Sequence, residues 1–186
     1  MANRLQKKYN NETVQKLMQE LKLKNIMEAP KIIKVTVNSG IGSFRENREA
    51  VEIFLNEFSD ITGQKPYPRK AVKSEAGFKI RQGDVVGYAV TLRSERMWAF
   101  LDKFINIALP RVRDFKGMSV KSFDGNGNYS VGIREHVIFP EINPNTVKGI
   151  RGMQVTIVVK SKDAKHTKLM LEYLGFPFAQ TQKAKR

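Results

Sequence analysis

Ile33, Val35 and Val37 alternate with Lys34, Thr36 and Asn38, and the same period of two returns where Val86, Tyr88, Val90 and Leu92 alternate with Gly87, Ala89, Thr91 and Arg93. A period of two sends successive side chains to opposite faces of a pleated strand. Each stretch must therefore offer one face to a core and the other to something polar. Tyr129, Val131 and Ile133, and later Val155, Ile157 and Val159, read as two more strands. Between them stand segments of helical period. Val14, Leu17, Met18 and Leu21 place a helix over much of 4–24, with Asn10-Asn11 as a kink or second cap. Val51, Phe54, Leu55, Phe58 and Ile61 form a second, opened by the capping-box spacing of Ser43 to Glu46 and stopped by Gly63. Met97, Leu101, Phe104, Ile105 and Ala108 form a third, capped by Ser94 and ended by Pro110, and a last helix at about 162–174 buries Met170, Leu171 and Leu174. Strands apolar on one side, interleaved with amphipathic helices, predict an α+β fold: an antiparallel or mixed sheet flanked by helices on one face.

No internal repeat or linker divides the chain. Residues 1–180 read as one domain with two long loops, about 64–85 and 110–150, followed by a basic tail at 181–186. Loops of that length inside a domain are functional or disordered.

Charge narrows the function. Lys plus Arg number 33 against 18 Asp plus Glu, a net +15. The excess is uneven: residues 31–60 hold four basic side chains and five acidic ones, whereas 65–81 hold Lys65, Arg69, Lys70, Lys73, Lys79 and Arg81 against Glu75 alone. Such a field recruits polyanions. Pro66, Pro68, Gly77 and Gly83 keep this stretch from being an amphipathic helix. The absence of cysteine excludes disulfides and thiolate metal sites, and the only imidazoles are His136 and His166, so neither a metal nor a cofactor is expected. No apolar run reaches the roughly 18–20 residues of a membrane span, and the N-terminus lacks a signal-peptide core. The expectation is a cytoplasmic protein with no membrane partner.

Lys34, Thr36 and Asn38 of one strand and Thr91 and Arg93 of another would share an uncovered polar face if the strands share a sheet. Lys and Arg would meet phosphate, and Asn and Thr would meet sugar hydroxyls or base edges. Phe78, in the basic loop, could stack on a base. An ordinary half-solvated sheet shows the same alternation; the neighbouring basic stretch favours binding. Asn38-Ser39-Gly40-Ile41-Gly42-Ser43, between strand and helix, has the context of a phosphate-holding turn, but Arg45 stands where a third glycine belongs and no Walker lysine follows. A phosphate-handling enzyme is therefore the weaker alternative to an RNA binder, and no catalytic site is expected. His136 and His166 read as structural or surface residues.

Longer strings carry a resemblance. Thr62-Gly63-Gln64-Lys65-Pro66, Ala76-Gly77-Phe78-Lys79-Ile80-Arg81, Val90-Thr91-Leu92-Arg93 with Glu95-Arg96-Met97, Ile105-Asn106-Ile107-Ala108-Leu109-Pro110-Arg111-Val112-Arg113-Asp114-Phe115, Ser122-Phe123-Asp124-Gly125 and Phe139-Pro140-Glu141-Ile142 occur in one order. Over about 3–178 the chain resembles the large-subunit ribosomal protein L-five family, of bacterial type. The resemblance implies a structural protein of the central protuberance that binds 5S rRNA, with large-subunit rRNA and neighbouring large-subunit proteins as further partners. The positions matching the family's 5S rRNA contacts are Lys34, Asn38, Gln64, Phe78, Thr91 and Arg93. The hairpin around 72–83, with Lys73, Lys79 and Arg81, would approach P-site tRNA. The loop 134–150 would face small-subunit ribosomal protein S-thirteen across an intersubunit bridge, through exposed Phe139, Ile142, Asn143 and Pro144. A free RNA chaperone or regulatory RNA-binding protein is the alternative reading. Tyr67-Pro68-Arg69 departs from the family, which usually has small or β-branched residues there.

Overall fold

The computed structural model describes residues 3–143, 147 and 149–179. Five antiparallel strands form one sheet in the order β2-β3-β1-β5-β4, with β1 at Lys31–Gly40, β2 at Tyr67–Lys70, β3 at Val85–Leu92, β4 at Tyr129–Ile133 and β5 at Met153–Lys160. The helices are α1 (Arg4–Lys8), α2 (Val14–Glu20), α3 (Arg48–Thr62), α4 (Ser94–Lys103) and α5 (Ala164–Leu174). This is the α+β arrangement that the alternating and helical periods predict.

Val35 and Val37 of β1, Val90 and Leu92 of β3, and Val155 and Ile157 of β5 are fully buried and share one core with Phe54, Phe58 and Ile61 of α3, Leu101 of α4, and Met170 and Leu171 of α5. Full burial of such a side chain is worth about 1.5–3 kcal/mol, which fixes which sheet face the helices cover. The register of β1 breaks between Ile32 and Lys34 on β5, a bulge that changes the parity of the strand. Ile32 is therefore the core residue, at 2% exposure, and Ile33, which the alternation assigns to the core, is 43% exposed.

Several helix ends differ from the expected ones. Ser43–Glu46 is a turn, and Asn47 caps α3 by accepting the Ala50 N–H at 3.1 Å. Gly63, at φ 65, closes it in the left-handed conformation glycine tolerates best. Arg93, not Ser94, is the N-cap of α4; it is extended, makes no side-chain cap bond, and its carbonyl accepts the Met97 N–H. Ser94 already lies inside the first turn at φ 49. Asn10-Asn11 lie in a π turn, Tyr9–Thr13, that joins α1 to α2 without leaving the right-handed region. A second π turn, Phe104–Ala108, carries α4 onward to a 3-10 turn at Leu109–Arg111, where Pro110 has no N–H to continue the ladder.

Both loops hold more structure than their sequence suggests. β2 lies within 64–85, at the sheet edge, where Pro68 needs no outward hydrogen-bond partner. From the other loop Phe123 packs with Tyr129 of β4 and with Phe178 beyond α5, an aromatic cluster with centroids 4.6–5.9 Å apart, and the Tyr129 hydroxyl donates to the Ser119 carbonyl. Burial pushes the Tyr129 hydroxyl up to about 12. Asp124 organises the predicted turn by accepting the backbone N–H groups of Asn126 and Asn128. The Asn128 side-chain amide, foremost, holds its carboxyl below the usual range.

Candidate nucleic-acid interface

With its core face covered, the sheet presents the other face outward, and register says what stands there. Thr36 of β1 pairs with Thr91 of β3 on one side and Thr156 of β5 on the other, and Thr156 pairs with Ser130 of β4. Directly paired residues point to the same face, so a row of hydroxyls crosses four strands. Ser130 Oγ and Thr156 Oγ1 are 3.0 Å apart. The next row is Ala89, Asn38, Gln154 and Gly132, with Asn38 and Gln154 exposed. On the other side of the hydroxyl row, Lys34 pairs with Val158, and Arg93 follows β3. Hydroxyls and amides there can donate and accept at sugar and base edges, while the cations supply phosphate contacts.

The strands carry charge of one sign. Among the described residues, the five strands contain Lys31, Lys34, Arg69, Lys70 and Lys160 and not one Asp or Glu. No carboxylate on the sheet competes with a bound phosphate.

Five of the six residues assigned to this surface come together. Lys34, Asn38, Thr91 and Arg93 lie on or at the end of neighbouring strands β1 and β3. Gln64, just past α3, joins them: its side-chain amide donates to the Thr91 carbonyl at 3.4 Å and its carbonyl accepts from Arg96 at 3.4 Å. Phe78 is elsewhere, in the β2–β3 hairpin, on a 3-10 turn at Ala76–Phe78 and 75% exposed. Gln154, Thr156 and Ser130 were not singled out from the sequence, although the same alternation marks them. Tyr67 and Arg69 were hidden because β2 does not read as a strand.

The hairpin is an ordered projection. Ala71 and Asp84 begin it, with Ala71 N–H donating to the Asp84 carbonyl at 2.8 Å, and Glu75 and Ile80 exchange backbone hydrogen bonds near its tip. Ser74 Oγ accepts the Gln82 N–H. Arg45, from the turn before α3, donates to the Lys79 carbonyl at 2.8 Å and lies 3.8 Å from the Asp84 carboxylate. Lys73, Lys79 and Arg81 are all exposed along it.

The loop 134–150 behaves differently. The expected exposure of Phe139 and Ile142 is overturned: they are 0% and 6% exposed, and Ile138 is also buried. Phe139 lies 6.0 Å from the Phe100 ring and 6.5 Å from that of Phe104, so it completes an aromatic layer of the core. His136 is fully buried. Its Nδ1 accepts the Arg151 N–H and its Nε2 lies 3.1 Å from Glu57. An Nδ1 that accepts is unprotonated, so the ring proton sits on Nε2 and is donated to Glu57. Lys103 pairs with Glu141 and bridges to the Ile61 carbonyl. Asn143 is exposed, and Pro144 lies outside the described residues.

Beside Ile41, a cleft of about 320 Å³ is lined by Arg45, Arg48 and Asp84. Arg45 there already faces Asp84, and Gly40 continues β1 as a partner of Gly87 rather than cradling a phosphate. Among the described residues no group of three His, Asp or Glu side chains is placed to hold a metal ion, and no helix is long and apolar enough to cross a membrane.

The family profile described as "Ribosomal protein L5" matches residues 25–81, and that described as "ribosomal L5P family C-terminus" matches residues 85–178. The chain is 53% identical over 178 residues to "Large ribosomal subunit protein uL5" of Rippkaea orientalis, an alignment covering 96% of this chain and 99% of that one. The protein of the same name from Synechocystis is 52% identical over 178 residues, with the same 96% and 99% coverage. That of Caldanaerobacter subterraneus subsp. tengcongensis is 51% identical, again covering 96% and 99%.

Proposed function

The chain belongs to the ribosomal protein L5 family, and from that premise we propose that this structural, non-enzymatic constituent of the large ribosomal subunit holds 5S rRNA on its open sheet face and anchors it in the central protuberance. The observation that carries the reading is the carboxylate-free sheet on which Lys34, Asn38, Gln64, Thr91 and Arg93 converge. A rigid sheet studded with short polar side chains suits folded RNA, whose 2′-hydroxyls and splayed bases present hydrogen-bonding groups beyond the phosphates. The purified protein should select 5S rRNA from total rRNA. Arg93→Ala should lower its affinity by about 1–3 kcal/mol while leaving the fold intact, since a charge-assisted contact is lost and no core atom is removed. Unchanged binding by Asn38→Ala combined with Arg93→Ala overturns the assignment.

The hairpin 71–84 is the proposed contact to P-site tRNA, made by Lys73, Lys79 and Arg81 with Phe78 exposed among them. The loop 134–150 is the proposed contact to small-subunit protein S-thirteen. Phe139 and Ile142 hold that loop on the core, so contact is left to Asn143 and the residues after it. Neutralising Lys79 and Arg81 should speed tRNA dissociation and spare subunit association; shortening 143–145 should do the reverse. Equal shifts of both quantities by both variants would refute the division.

A further inference from the structure

We propose that Tyr67 and Arg69, on edge strand β2, form a stacking platform for an unpaired base of the bound RNA. The inference rests on the reading of the open sheet face as an RNA surface and extends that surface to the sheet edge.

The placement follows from register. Tyr67 pairs with Ala89, which pairs with Asn38, which pairs with Gln154. Tyr67 thus stands in the same row, and on the same face, as the central amides. Arg69, two residues on, shares that face. Its guanidinium carbon lies 5.0 Å from the Tyr67 ring centroid, within the range of a cation–π contact. Tyr67 is 38% exposed, so a large aromatic is left open on an edge strand instead of entering the core.

The ground beside the pair is low. Arg69 faces Gly87, Tyr67 faces Ala89, and Gly87 faces Gly40. A side chain cannot be added at Gly87, because its Cβ would meet the Ser39 carbonyl oxygen at 2.8 Å. Gly87 and Ala89 are themselves buried and, of the three, only Gly40 is exposed, so the pair lies low over the smallest residues of the sheet with its outer faces open. Arg69 meets no carboxylate within ion-pair distance among the described residues. Its second planar face and its charge remain available to a base and its phosphate.

The edge favours RNA over an added peptide strand. Pro68 sits between the two residues and withholds a ladder donor, and Arg69 and Lys70 beside it carry charge suited to a polyanion.

The test measures affinity of the full chain for 5S rRNA. Tyr67→Leu is expected to weaken binding about tenfold, within the range of a lost base–aromatic stack. Tyr67→Phe should bind as the native protein does. Arg69→Lys should also weaken binding without changing the salt dependence, because it keeps the charge and loses the plane. The Asn38→Ala, Arg93→Ala double variant is the reference. If it loses affinity while Tyr67→Leu and Arg69→Lys both bind natively, the platform is refuted and the sheet reading survives. If Arg69→Lys binds natively and only Arg69→Ala is weak, Arg69 is a plain phosphate contact and the platform is equally refuted. Unchanged binding in all of them removes the sheet reading together with the platform.

Discussion

The hairpin 71–84 and the loop 134–152 are both long connections between strands, and both mix apolar with charged residues. They put their aromatics to opposite use. Phe78 stands 75% exposed at the hairpin, beside Val72 at 80%, while Phe139 is fully buried in the other loop. The hairpin holds its shape by hydrogen bonds along its own length and by Arg45 at its base. The loop holds its shape by inserting side chains into the core and by a buried histidine bridging two elements. A projection free of core contacts can be altered without disturbing the fold; a loop that is part of the core cannot.

Truncating the two aromatics should separate the regions most sharply. Phe139→Ala leaves a cavity between Phe100 and Phe104 and should destabilise the protein by about 3–5 kcal/mol in chemical denaturation. Phe78→Ala should change stability by no more than about 0.5 kcal/mol, as an exposed substitution does. Comparable losses from both would erase the contrast.

His136→Leu comes next. It removes the acceptor of the Arg151 N–H and the donor to Glu57, taking a partner from two half-buried polar groups, for about 1–3 kcal/mol. Amide exchange should rise first within 134–151 and not in the hairpin. A uniform rise across the chain would mean that the loop opens only with global unfolding.

A third, smaller effect probes the hairpin's charge. If Lys79 contacts phosphate, Lys79→Ala should cut the salt dependence of tRNA binding by about one ion, a slope change of roughly 0.7–0.9. The same change at Lys103, which is tied to Glu141, should leave that slope alone.

Legibility followed the same division. Where side chains alternate on a regular strand, Lys34, Asn38 and Thr91 could be placed outward from the sequence, and Gln154, Thr156 and Ser130 follow by the same rule. The rule fails at Ile32 and Ile33 because a bulge changes parity between two identical residues, and neither composition nor period marks it. It fails at Tyr67–Lys70 because proline and charge disguise an edge strand, whose outer hydrogen bonds need no partner. In 134–150 there is no period at all. Burial of Phe139 and Ile142 comes from tertiary packing against α4 and its π turn, which local pattern does not encode. The capping-box spacing at Ser43 misplaces the start of α3, because the side chain that accepts a first-turn N–H is that of Asn47, four residues later.

The smallest expected effect concerns how the hairpin is held. Arg45 joins it from outside, through the Lys79 carbonyl at 2.8 Å and the Asp84 carboxylate at 3.8 Å. Asp84 is 40% exposed, so the ion pair is well screened and adds little to global stability. Arg45→Ala should therefore lower stability by no more than about 1 kcal/mol, most of it from the lost bond to the carbonyl. The consequence should be local. Lys79 is itself in the left-handed region at φ 53, an unfavourable conformation for a lysine, and its carbonyl is the group Arg45 grips. Released, the tip should sample other conformations, and the amides of Lys79 and Ile80 should exchange several-fold faster while those of 136–142 stay unchanged. If exchange at the tip is unaltered, the hairpin's shape resides in its own internal hydrogen bonds, and the projection is self-supporting rather than braced by the turn before α3.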